Sequence, residues 1–311
     1  MPSMSPQYTL AKRSWAAAFD YQEQHAGKKV RTALTRALAA VFQIDSQQSN
    51  IISRCVERKN TASLIHDDIV DEDRIRRGAP AVWVKFGVDT ALISGMYGYI
   101  KGLQLLAELD DVNLLRASLR SLEELHIGQH IDTQISKGSS LPTFEEYRFI
   151  AQSNTGCFFT FILQACQQLK PLPQGSYSAL MQMLLELAVY YRLVNDYCDI
   201  NHRPHFDRKG FATDLEGGPK SFLMILADRC LLKKPRSKKR KDAIILEWGN
   251  AGVFDKALAT MDASYALLTQ HYERAQRKCN QRNFSDLRRF LKSIHFQQSI
   301  HDNYYEWLKK Q

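Results

Sequence analysis

Proline and glycine are scarce in this chain, and so are the patterns that mark β-strands. Its 311 residues include nine prolines and fifteen glycines, the two residues that interrupt regular structure most strongly. Strict alternation of apolar and polar residues is hard to find, whereas apolar residues recur at helical spacing nearly everywhere. The chain shows neither an internal repeat nor a convincing linker. The sequence therefore predicts a single all-α domain over residues 1–311, built as a helical bundle.

Paired cysteines and long apolar runs are also missing. The six cysteines lack CxxC spacing, and most lie among apolar neighbours, as small core residues do. No apolar run approaches the length of a membrane span, and residues 1–8 lack the apolar core of a signal peptide. These absences argue against a secreted or membrane-spanning protein. We expect a soluble, reduced protein of the cytoplasm.

Negative charge is in deficit, because 42 lysines and arginines face 33 aspartates and glutamates, which gives a formal net charge of +9. Much of the excess lies in the tract 233–241, which reads Lys-Lys-Pro-Arg-Ser-Lys-Lys-Arg-Lys. Its simplest interpretation is a solvated loop, with a nuclear-localisation or nucleic-acid role as the alternative. No aromatic residue interleaves these cations, which weakens the alternative. We predict no nucleic-acid partner.

What the chain does contain is a dense acidic segment followed by two arginines. Residues 64–78 read Leu-Ile-His-Asp-Asp-Ile-Val-Asp-Glu-Asp-Arg-Ile-Arg-Arg-Gly. On a helix, Asp67 and Asp71 share a face and Asp68 lies beside them. Crowded carboxylates of this kind suit Mg²⁺, which shares its remaining positions with water and substrate phosphates. Arg76 and Arg77 follow, and guanidinium groups match phosphate oxygens.

The segment 64–78 therefore predicts a metal–diphosphate site. The alternative is a solvated acidic helix end. The apolar residues that lead into the segment argue against that alternative, because a surface run would not need burial.

A second polar cluster lies more than a hundred residues later, in a long helix predicted over about 177–202. Arg192, Asn195, Asp196 and Asp199 occupy relative positions 0, 3, 4 and 7, so one helix face carries all four. Helical bundles build metal sites from side chains on facing helices. We therefore expect the two clusters to face each other across the bundle.

Five sequence motifs resemble those of the isoprenyl diphosphate synthase superfamily, in the same order along the chain. They are Gly-Lys-Lys-Val-Arg (27–31), the acidic segment 64–78, Gly-Gln-His-Ile-Asp (128–132), Asn-Asp-Tyr-Cys-Asp (195–199) and Asp-Leu-Glu-Gly-Gly-Pro-Lys-Ser-Phe (214–222). The second and fourth look like the two aspartate-rich motifs of that superfamily. The resemblance implies the all-α fold of class I terpenoid synthases, a prenyl diphosphate substrate, Mg²⁺ and a homodimer.

Several positions depart from the pattern of the chain-elongating members. Among the residues that bind isopentenyl diphosphate there, Lys28, Arg31 and Arg77 match, but Asn60 replaces a histidine. Other departures fall among the residues that bind the allylic diphosphate, which we call the allylic side. Asn154 replaces a lysine, Arg192 replaces a glutamine, and Asn195 replaces the leading aspartate of the second acidic motif. Pro219 replaces a second lysine, and Lys220 follows one place late. The lost positive charges weaken the binding of two diphosphates, and Arg192 supplies one charge back.

These departures resemble a group of fungal terpene cyclases built on a prenyl-synthase-like chain, such as humulene synthases. We therefore expect a Mg²⁺-dependent cyclase that ionises farnesyl diphosphate and closes it to a humulene-type sesquiterpene hydrocarbon, releasing diphosphate. The alternative is a prenyltransferase that makes farnesyl or geranylgeranyl diphosphate from an allylic diphosphate and isopentenyl diphosphate. A third hypothesis, a catalytically silent partner subunit, is disfavoured by the intact first acidic cluster.

The charge pattern and the resemblance together assign roles to residues. The expected catalytic residues are Asp67, Asp68 and Arg192. About three Mg²⁺ ions are expected between Asp67, Asp68 and Asp71 on one side and Asn195, Asp196 and Asp199 on the other. The diphosphate is expected to contact Lys28, Arg31, Arg76, Arg77, Arg192 and Lys220.

The apolar part of the predicted cavity is less well defined by the sequence. Aromatic faces can stabilise a carbocation, and the candidates are Tyr97, Phe158, Phe159, Phe161 and Tyr191, each of which is more simply a core residue. Ala62 and Ser63 precede Asp67 by about one helical turn and leave the cavity floor open. The sequence therefore does not fix the length of the prenyl chain.

Overall fold

A computed structural model of the protein describes residues 5–25, 27–229, 231, 235–279 and 282–311. Within them lie fifteen α-helices and one short β-hairpin, so the all-α prediction is confirmed. The helices are α1 Pro6–Gln24, α2 Val30–Phe42, α3 Ser46–Val70, α4 Val82–Phe86, α5 Val88–Ala107, α6 Val112–Lys137, α7 Phe144–Ile150, α8 Cys157–Leu169, α9 Gln174–Asn201, α10 Arg203–Lys209, α11 Phe222–Leu226, α12 Lys238–Asn250, α13 Val253–Lys278, α14 Ser285–Ile294 and α15 Tyr304–Leu308. The hairpin strands are β1 Ile75–Arg76 and β2 Ala79–Pro80, a π-helical turn covers Ala151–Thr155, and a 3₁₀ turn covers Thr213–Leu215.

Side-chain caps fix the starts of two helices that carry motifs. Asp45 accepts a hydrogen bond from the backbone N–H of Gln48 at 2.9 Å at the start of α3. Asp111 accepts bonds from the N–H groups of Asn113 and Leu114, at 2.8 and 3.2 Å, at the start of α6. Each cap satisfies donors that have no partner within the first helical turn.

Three long helices bring the motifs to one region of the molecule. Asp67 lies near the end of α3, Asp132 near the end of α6 and Asp196 near the end of α9. Packing against neighbours holds these helices, with α3 along α5, α9 along α13, and α6 against α8 and the π-helical turn. One contiguous core of buried apolar side chains connects them. The expected meeting of the two acidic clusters follows from this packing.

The structure differs from the prediction after α9. The polar, glycine-rich composition of the stretch 203–219 predicts a loop, but the stretch contains α10 and the 3₁₀ turn. Arg203 and Pro204 open α10, where a missing proline N–H costs nothing because first-turn donors lack partners in any case. The sequence does not predict this helix, because none of the residues of α10 is buried and apolar periodicity is therefore absent.

The basic tract 233–241 is only partly the solvated loop that was predicted. Lys233 and Lys234 lie outside the described residues, as does Cys230. From Lys238 onward the tract forms the first turn of α12. Lys241 is buried, and its Nζ donates to the carbonyl of Phe211 and pairs with Glu216, both at 2.6 Å. The prediction is wrong for this part, because Ser237 caps a helix there.

The described cysteines are buried and free, as expected for small core residues: Cys55, Cys157, Cys166, Cys198 and Cys279. Within the described residues, none of the helices is both long and apolar enough to cross a membrane. The cytoplasmic location stays a prediction.

Candidate active site

The motif residues line one cavity of about 310 Å³. Asp67 and Asp71 face it from α3, and Asn195 and Asp196 face it from α9. The predicted cations all line it as well, and they are Lys28, Arg31, Arg76, Arg77, Arg192 and Lys220. Asp68 and Asp199, which were expected to join them as metal ligands, do not line the cavity. The structure therefore brings most of the predicted residues to one cavity, but the sequence did not separate cavity-facing acids from buried ones.

A tight hairpin aims the two arginines of the first motif in different directions. Arg77 and Gly78 occupy the turn between β1 and β2, with φ of +57° and +79°. Positive φ at both central residues is the geometry of a type I′ two-residue hairpin turn, and glycine adopts it without strain. Arg77 Nη1 donates to the carbonyl of His25 at 3.0 Å, so this side chain bridges to the chain segment before α2.

Arg76 is directed into the first acidic cluster. It forms a short ion pair with Asp68, and its Nη2 lies 3.3 Å from Asp73 and 3.6 Å from Asp67. Asp68 is fully buried, and its Oδ2 lacks a hydrogen-bond partner in the described part of the chain. Burial raises the pKa of Asp68 to about 6 although Arg76 opposes the shift. The position of Asp68 suits holding Arg76 in place.

The cavity-facing acids of α3 are held by neighbours from other helices. Gln129 Nε2 donates to Asp67 at 3.0 Å, and Lys220 Nζ donates to Asp71 at 2.7 Å. Burial, and next the charge of Asp71, raise the pKa of Asp67 to about 7. At neutral pH, part of the Asp67 population therefore carries a proton that a bound cation would displace.

The second acidic cluster also contains one carboxylate that lines the cavity and one that does not. Asp196 lines the cavity, and its Oδ2 accepts bonds from the Tyr147 hydroxyl at 3.1 Å and the Phe222 N–H at 3.2 Å. Burial, and next the charge of Asp214, raise the pKa of Asp196 to about 7. Asp199 instead accepts from Thr213 Oγ1 at 2.9 Å and from the N–H of Asp214 at 2.8 Å. Both Asp199 oxygens are thus engaged in anchoring the 3₁₀ turn.

Lys209 and Asp214 also line the cavity, although neither had a role predicted from the sequence. Lys209, the last residue of α10, donates to Asp214 at 2.9 Å and lies 3.8 Å from Asp199 and 3.9 Å from Asp73. It therefore connects both acidic clusters. Asp214 opens the fifth motif and could have been found there, whereas Lys209 lay in a predicted loop and had no helical register to place it.

Arg192 is paired within the protein and is not a free cation. Its Nη2 lies 2.5 Å from Asp132 Oδ1, and its Nη1 donates to Asn154 Oδ1 at 3.4 Å. Lys220 approaches the other Asp132 oxygen at 3.5 Å. Burial alone would raise the pKa of Asp132, but Arg192 and Lys220 together hold it below its usual value. Asp132 lies in the third motif and was not assigned a role from sequence.

The family of the protein can now be stated from comparison with known proteins. Residues 12–261 match the family model for polyprenyl synthetases. The chain belongs to the polyprenyl synthetase family. The cavity residues described above, from Lys28 to Lys220, all lie within the matched range.

Relatives within this family include synthases of different products. A geranylgeranyl pyrophosphate synthase of Penicillium canescens is 30% identical over 210 residues, which are 68% of this chain and 62% of that protein. A bifunctional sesterterpene synthase of Talaromyces wortmannii is 27% identical over 235 residues, which are 76% of this chain and 30% of that protein. The chain thus spans about three fifths of the first relative and under a third of the second.

A solved structure of the same fold is that of a polyprenyl synthase from Caulobacter crescentus CB15, in complex with calcium and isoprenyl diphosphate. It superposes with a TM-score of 0.75 at 20% identity, covering 93% of this chain and 88% of that one. This similarity shows the shared isoprenoid synthase fold.

The acidic residues of the family motifs fit a metal only together with further ligands. Among the described residues, no three carboxylate, imidazole or thiol groups converge closely enough to hold an ion by themselves. Arg76, Lys209 and Lys220 stand between the carboxylates and neutralise them. Mg²⁺ usually takes one or two carboxylates and completes its shell with water and substrate phosphates. Asp67 and Asp71 on one side, with Asn195 and Asp196 on the other, fit that pattern.

The aromatic faces expected to stabilise a carbocation are largely occupied. Lys59 Nζ lies 3.9 Å from the ring centre of Phe161 and 5.4 Å from that of Phe158. The Arg31 guanidinium lies 5.5 Å from the ring centres of both Phe158 and Phe159. Of the candidate aromatics, only Tyr191 lines the cavity. Protein cations therefore already contact Phe158, Phe159 and Phe161, and Tyr191 is the candidate ring that faces the cavity.

Proposed function

We propose that the protein is a Mg²⁺-dependent prenyltransferase that condenses an allylic diphosphate with isopentenyl diphosphate. The sequence motifs favoured a terpene cyclase, with this activity as the alternative. The observation that carries the proposal is a second, cationic part of the cavity lining, built from Lys28, Arg31 and Arg77. We refer to these three residues as the basic side.

The basic side has the features of an anion site. Arg31 Nε is buried and has no hydrogen-bond partner in the described part of the chain. A buried donor left unpaired costs about 1–3 kcal/mol, so a ligand that supplies an acceptor there is favoured. Gly27 admits the guanidinium of Arg77, because a Cβ at this position would lie 2.9 Å from Arg77 Nη2. A cyclase that binds one diphosphate needs no second site of this kind.

The reaction follows from two diphosphates bound in one cavity. The C–O bond of the allylic diphosphate breaks, and diphosphate leaves with the bonding electrons. The double bond of isopentenyl diphosphate, held by the basic side, attacks the allylic carbon, and loss of a proton restores a double bond. Arg76, Lys209 and Lys220, released from their carboxylates, would then face the negative charge of the leaving group.

The metal belongs to the carboxylate side. When bound, Mg²⁺ would draw negative charge from the leaving diphosphate. Asp67, Asp71, Asn195 and Asp196 are the residues we propose to hold it, and Asp68 and Asp199 are proposed to position Arg76 and the 3₁₀ turn. The number of ions stays a prediction.

The second candidate function is the sesquiterpene cyclase of the sequence analysis. The pairing of Arg192 with Asp132 favours it, because the family's allylic-side lysine at position 154 is absent and its replacement cation is not free. Asn60, which lines the cavity, is a neutral amide where elongating enzymes have a histidine. The occupied aromatic faces weigh against it.

We also propose that the active form is a homodimer. Helix α5 exposes an apolar face, and its members are each at least 39% exposed: Val88, Leu92, Ile93, Met96 and Ile100. Counted from Val88, the other members follow four, five, eight and twelve residues later, so all five lie on one side of the helix. A contiguous exposed apolar face of this kind is typical of a protein interface.

The test is a product assay on purified protein with Mg²⁺. With geranyl diphosphate and isopentenyl diphosphate, we expect a longer prenyl diphosphate by liquid chromatography and mass spectrometry. With farnesyl diphosphate alone, we expect no hydrocarbon in a hexane extract analysed by gas chromatography. A cyclic C15 hydrocarbon in the second assay, without elongation in the first, would show that the cyclase was the correct function. Asp67→Asn is the inactive control for both.

A further inference from the structure

Helix α10 presents a basic face to the cavity. Three of its seven residues line the cavity, and they are His205, Arg208 and Lys209. Arg208 and Lys209 follow His205 by three and four residues, so the three side chains share one face of the helix. Each of them ends in a nitrogen base or a cation. The second acidic motif is therefore followed by a helix whose cavity face suits an anion.

Two of these three side chains are not engaged by the rest of the protein. Lys209 is paired with Asp214 at 2.9 Å, whereas Arg208 forms no ion pair within the described residues. The Nε2 atom of His205 is shielded from solvent and has no hydrogen-bond partner in the described part of the chain. Unpaired nitrogen atoms in such a place favour a ligand that supplies an acceptor. The reaction described above uses neither His205 nor Arg208.

The hairpin turn places α10 next to the basic side. The N–H of Gly78 donates to the carbonyl of Arg208 at 3.0 Å. A Cβ at Gly78 would lie 3.5 Å from the carbonyl oxygen of Asp207, so the turn lies directly on the end of α10. Arg77, a member of the basic side, occupies the same turn. The cavity face of α10 therefore lies beside the basic side.

The charged groups around His205 come from several elements. Burial, and next the charges of Lys209 and Lys28, lower the pKa of His205 to about 3. Asp214 opposes this shift, and His202 adds to it. The ring is therefore neutral at neutral pH and carries a single N–H donor. Since Lys28 belongs to the basic side, its influence on His205 also indicates that α10 and the basic side lie close together.

We infer that His205 and Arg208 bind the diphosphate that the basic side holds. Under the proposed function, on which this inference rests, that ligand is isopentenyl diphosphate. Arg208 supplies a charged donor for its oxygens, and His205 supplies a neutral one. Asn60 lines the same cavity with a neutral amide in place of the family's histidine. Helix α10 thus adds a positive charge that position 60 does not provide.

The test compares two ligands in the same variants by isothermal titration. Isopentenyl diphosphate is added to protein saturated with Mg²⁺ and geranyl thiolodiphosphate, and the thiolodiphosphate is titrated separately. Arg208→Met and His205→Phe keep much of the side-chain bulk, and each should raise the Kd of isopentenyl diphosphate by about fivefold or more. The Kd of the thiolodiphosphate should stay unchanged, and Arg208→Lys should bind isopentenyl diphosphate more tightly than Arg208→Met. Unchanged binding of isopentenyl diphosphate, or equal weakening of both ligands, would overturn the inference.

Arg203→Met is the matched control. Arg203 lies on the same helix, is exposed and does not line the cavity, so this variant should bind isopentenyl diphosphate as the parent does. Weakening equal to that of Arg208→Met would mean that net charge alone is responsible, and would overturn the inference. The substitutions leave Phe206 to anchor α10, because its ring centre lies 5.0 Å from that of Phe211 and 5.2 Å from that of Tyr304. Thermal unfolding of each variant checks that the helix stays in place.

Binding of pyrophosphate in EDTA keeps the inference separate from the proposed function. Without metal, the carboxylates repel the anion, so the cations of the basic side and α10 dominate the binding. Arg208→Met and His205→Phe should each weaken it by about threefold or more. Equal pyrophosphate affinity in the parent and Arg208→Met would overturn the inference, even in a protein that does not bind isopentenyl diphosphate. A parent that binds pyrophosphate but not isopentenyl diphosphate would instead overturn the proposed function.

Discussion

At the scale of single residues, the positive charge on the allylic side lies on a different element from the one expected from the chain-elongating members. The lysine expected at position 154 of the π-helical turn is an asparagine, and Arg192 of α9 occupies the space beside it, 3.4 Å from Asn154 Oδ1. Sequence alone predicted that Arg192 faces the site. It could not predict the ion pair with Asp132, because that pair depends on how α6 and α9 pack.

Arg192→Gln should reduce kcat/KM about 30-fold, because a charge-assisted hydrogen bond contributes about 2 kcal/mol. It also leaves the buried Asp132 with Lys220 as its remaining cation in the described structure. The matched variant, Arg192→Gln combined with Asn154→Lys, returns the charge to the family position and should recover most of the activity. Steady-state kinetics on both proteins would check this, and equal activity of Arg192→Gln and the parent would contradict it.

The two neighbouring aspartates of α3 should behave differently when substituted. Asp67→Asn should abolish turnover and the stabilisation by Mg²⁺ with pyrophosphate, because Asp67 faces the cavity. Asp68→Asn should lower turnover through a misplaced Arg76 but keep that stabilisation. The sequence predicted both as metal ligands, because helical register alone does not show which of two adjacent residues contacts the hairpin that follows. Thermal unfolding with and without Mg²⁺ and pyrophosphate separates the two roles, and identical loss in both variants would refute the distinction.

At the scale of elements, the long helices and their caps were predictable, and the irregular parts were not. Helices α2, α3, α5, α6 and α9 carry clear apolar periodicity and begin or end at polar segments. Helix α10 and the π-helical turn gave no such signal, because their conformations depend on partners distant in sequence. The π-helical turn holds Asn154 and Thr155 at the cavity wall, and such turns are frequent at functional sites.

Close packing of the π-helical turn on α6 should make Gly128 sensitive to substitution. A Cβ at this position would lie 2.7 Å from Ser153 Cβ and 2.8 Å from the Asn154 nitrogen. Gly128→Ala should therefore lower the free energy of unfolding by about 1–3 kcal/mol and reduce activity. Gly175→Ala on α9 is the control, because its Cβ meets Lys278 at an ordinary 3.4 Å. Denaturant unfolding of both variants tests this, and a Gly128→Ala protein as stable as the parent would exclude the packing argument.

At the scale of the whole molecule, the cavity brings together carboxylates whose burial outweighs the nearby positive charges. The pKa values of Asp67 and Asp196 are raised to about 7, mainly by burial. Between their ordinary values and pH 7 the folded protein binds more protons than the unfolded chain, so stability falls as pH rises through that window. Asp132 has a lowered pKa and affects stability only at lower pH.

The metal-free protein should therefore unfold at a lower temperature at pH 8 than at pH 5.5. Mg²⁺ with pyrophosphate should raise the unfolding temperature more at pH 8 than at pH 6, because protons compete with the metal for Asp67 and Asp196. At a ligand concentration of a hundred times Kd, the gain is about 2.7 kcal/mol. Calorimetry at several pH values measures both effects, and a stabilisation independent of pH would contradict the assigned ligands.

The central claim is that one cavity binds two diphosphates, one on the carboxylate side and one on the basic side. Isothermal titration tests it most directly: isopentenyl diphosphate is added to protein already saturated with Mg²⁺ and unreactive geranyl thiolodiphosphate. We predict saturable binding of one equivalent per chain, weakened at least tenfold in Arg31→Ala, whose guanidinium belongs to the basic side. Absence of binding to the loaded parent, or equal binding to Arg31→Ala, would contradict the claim.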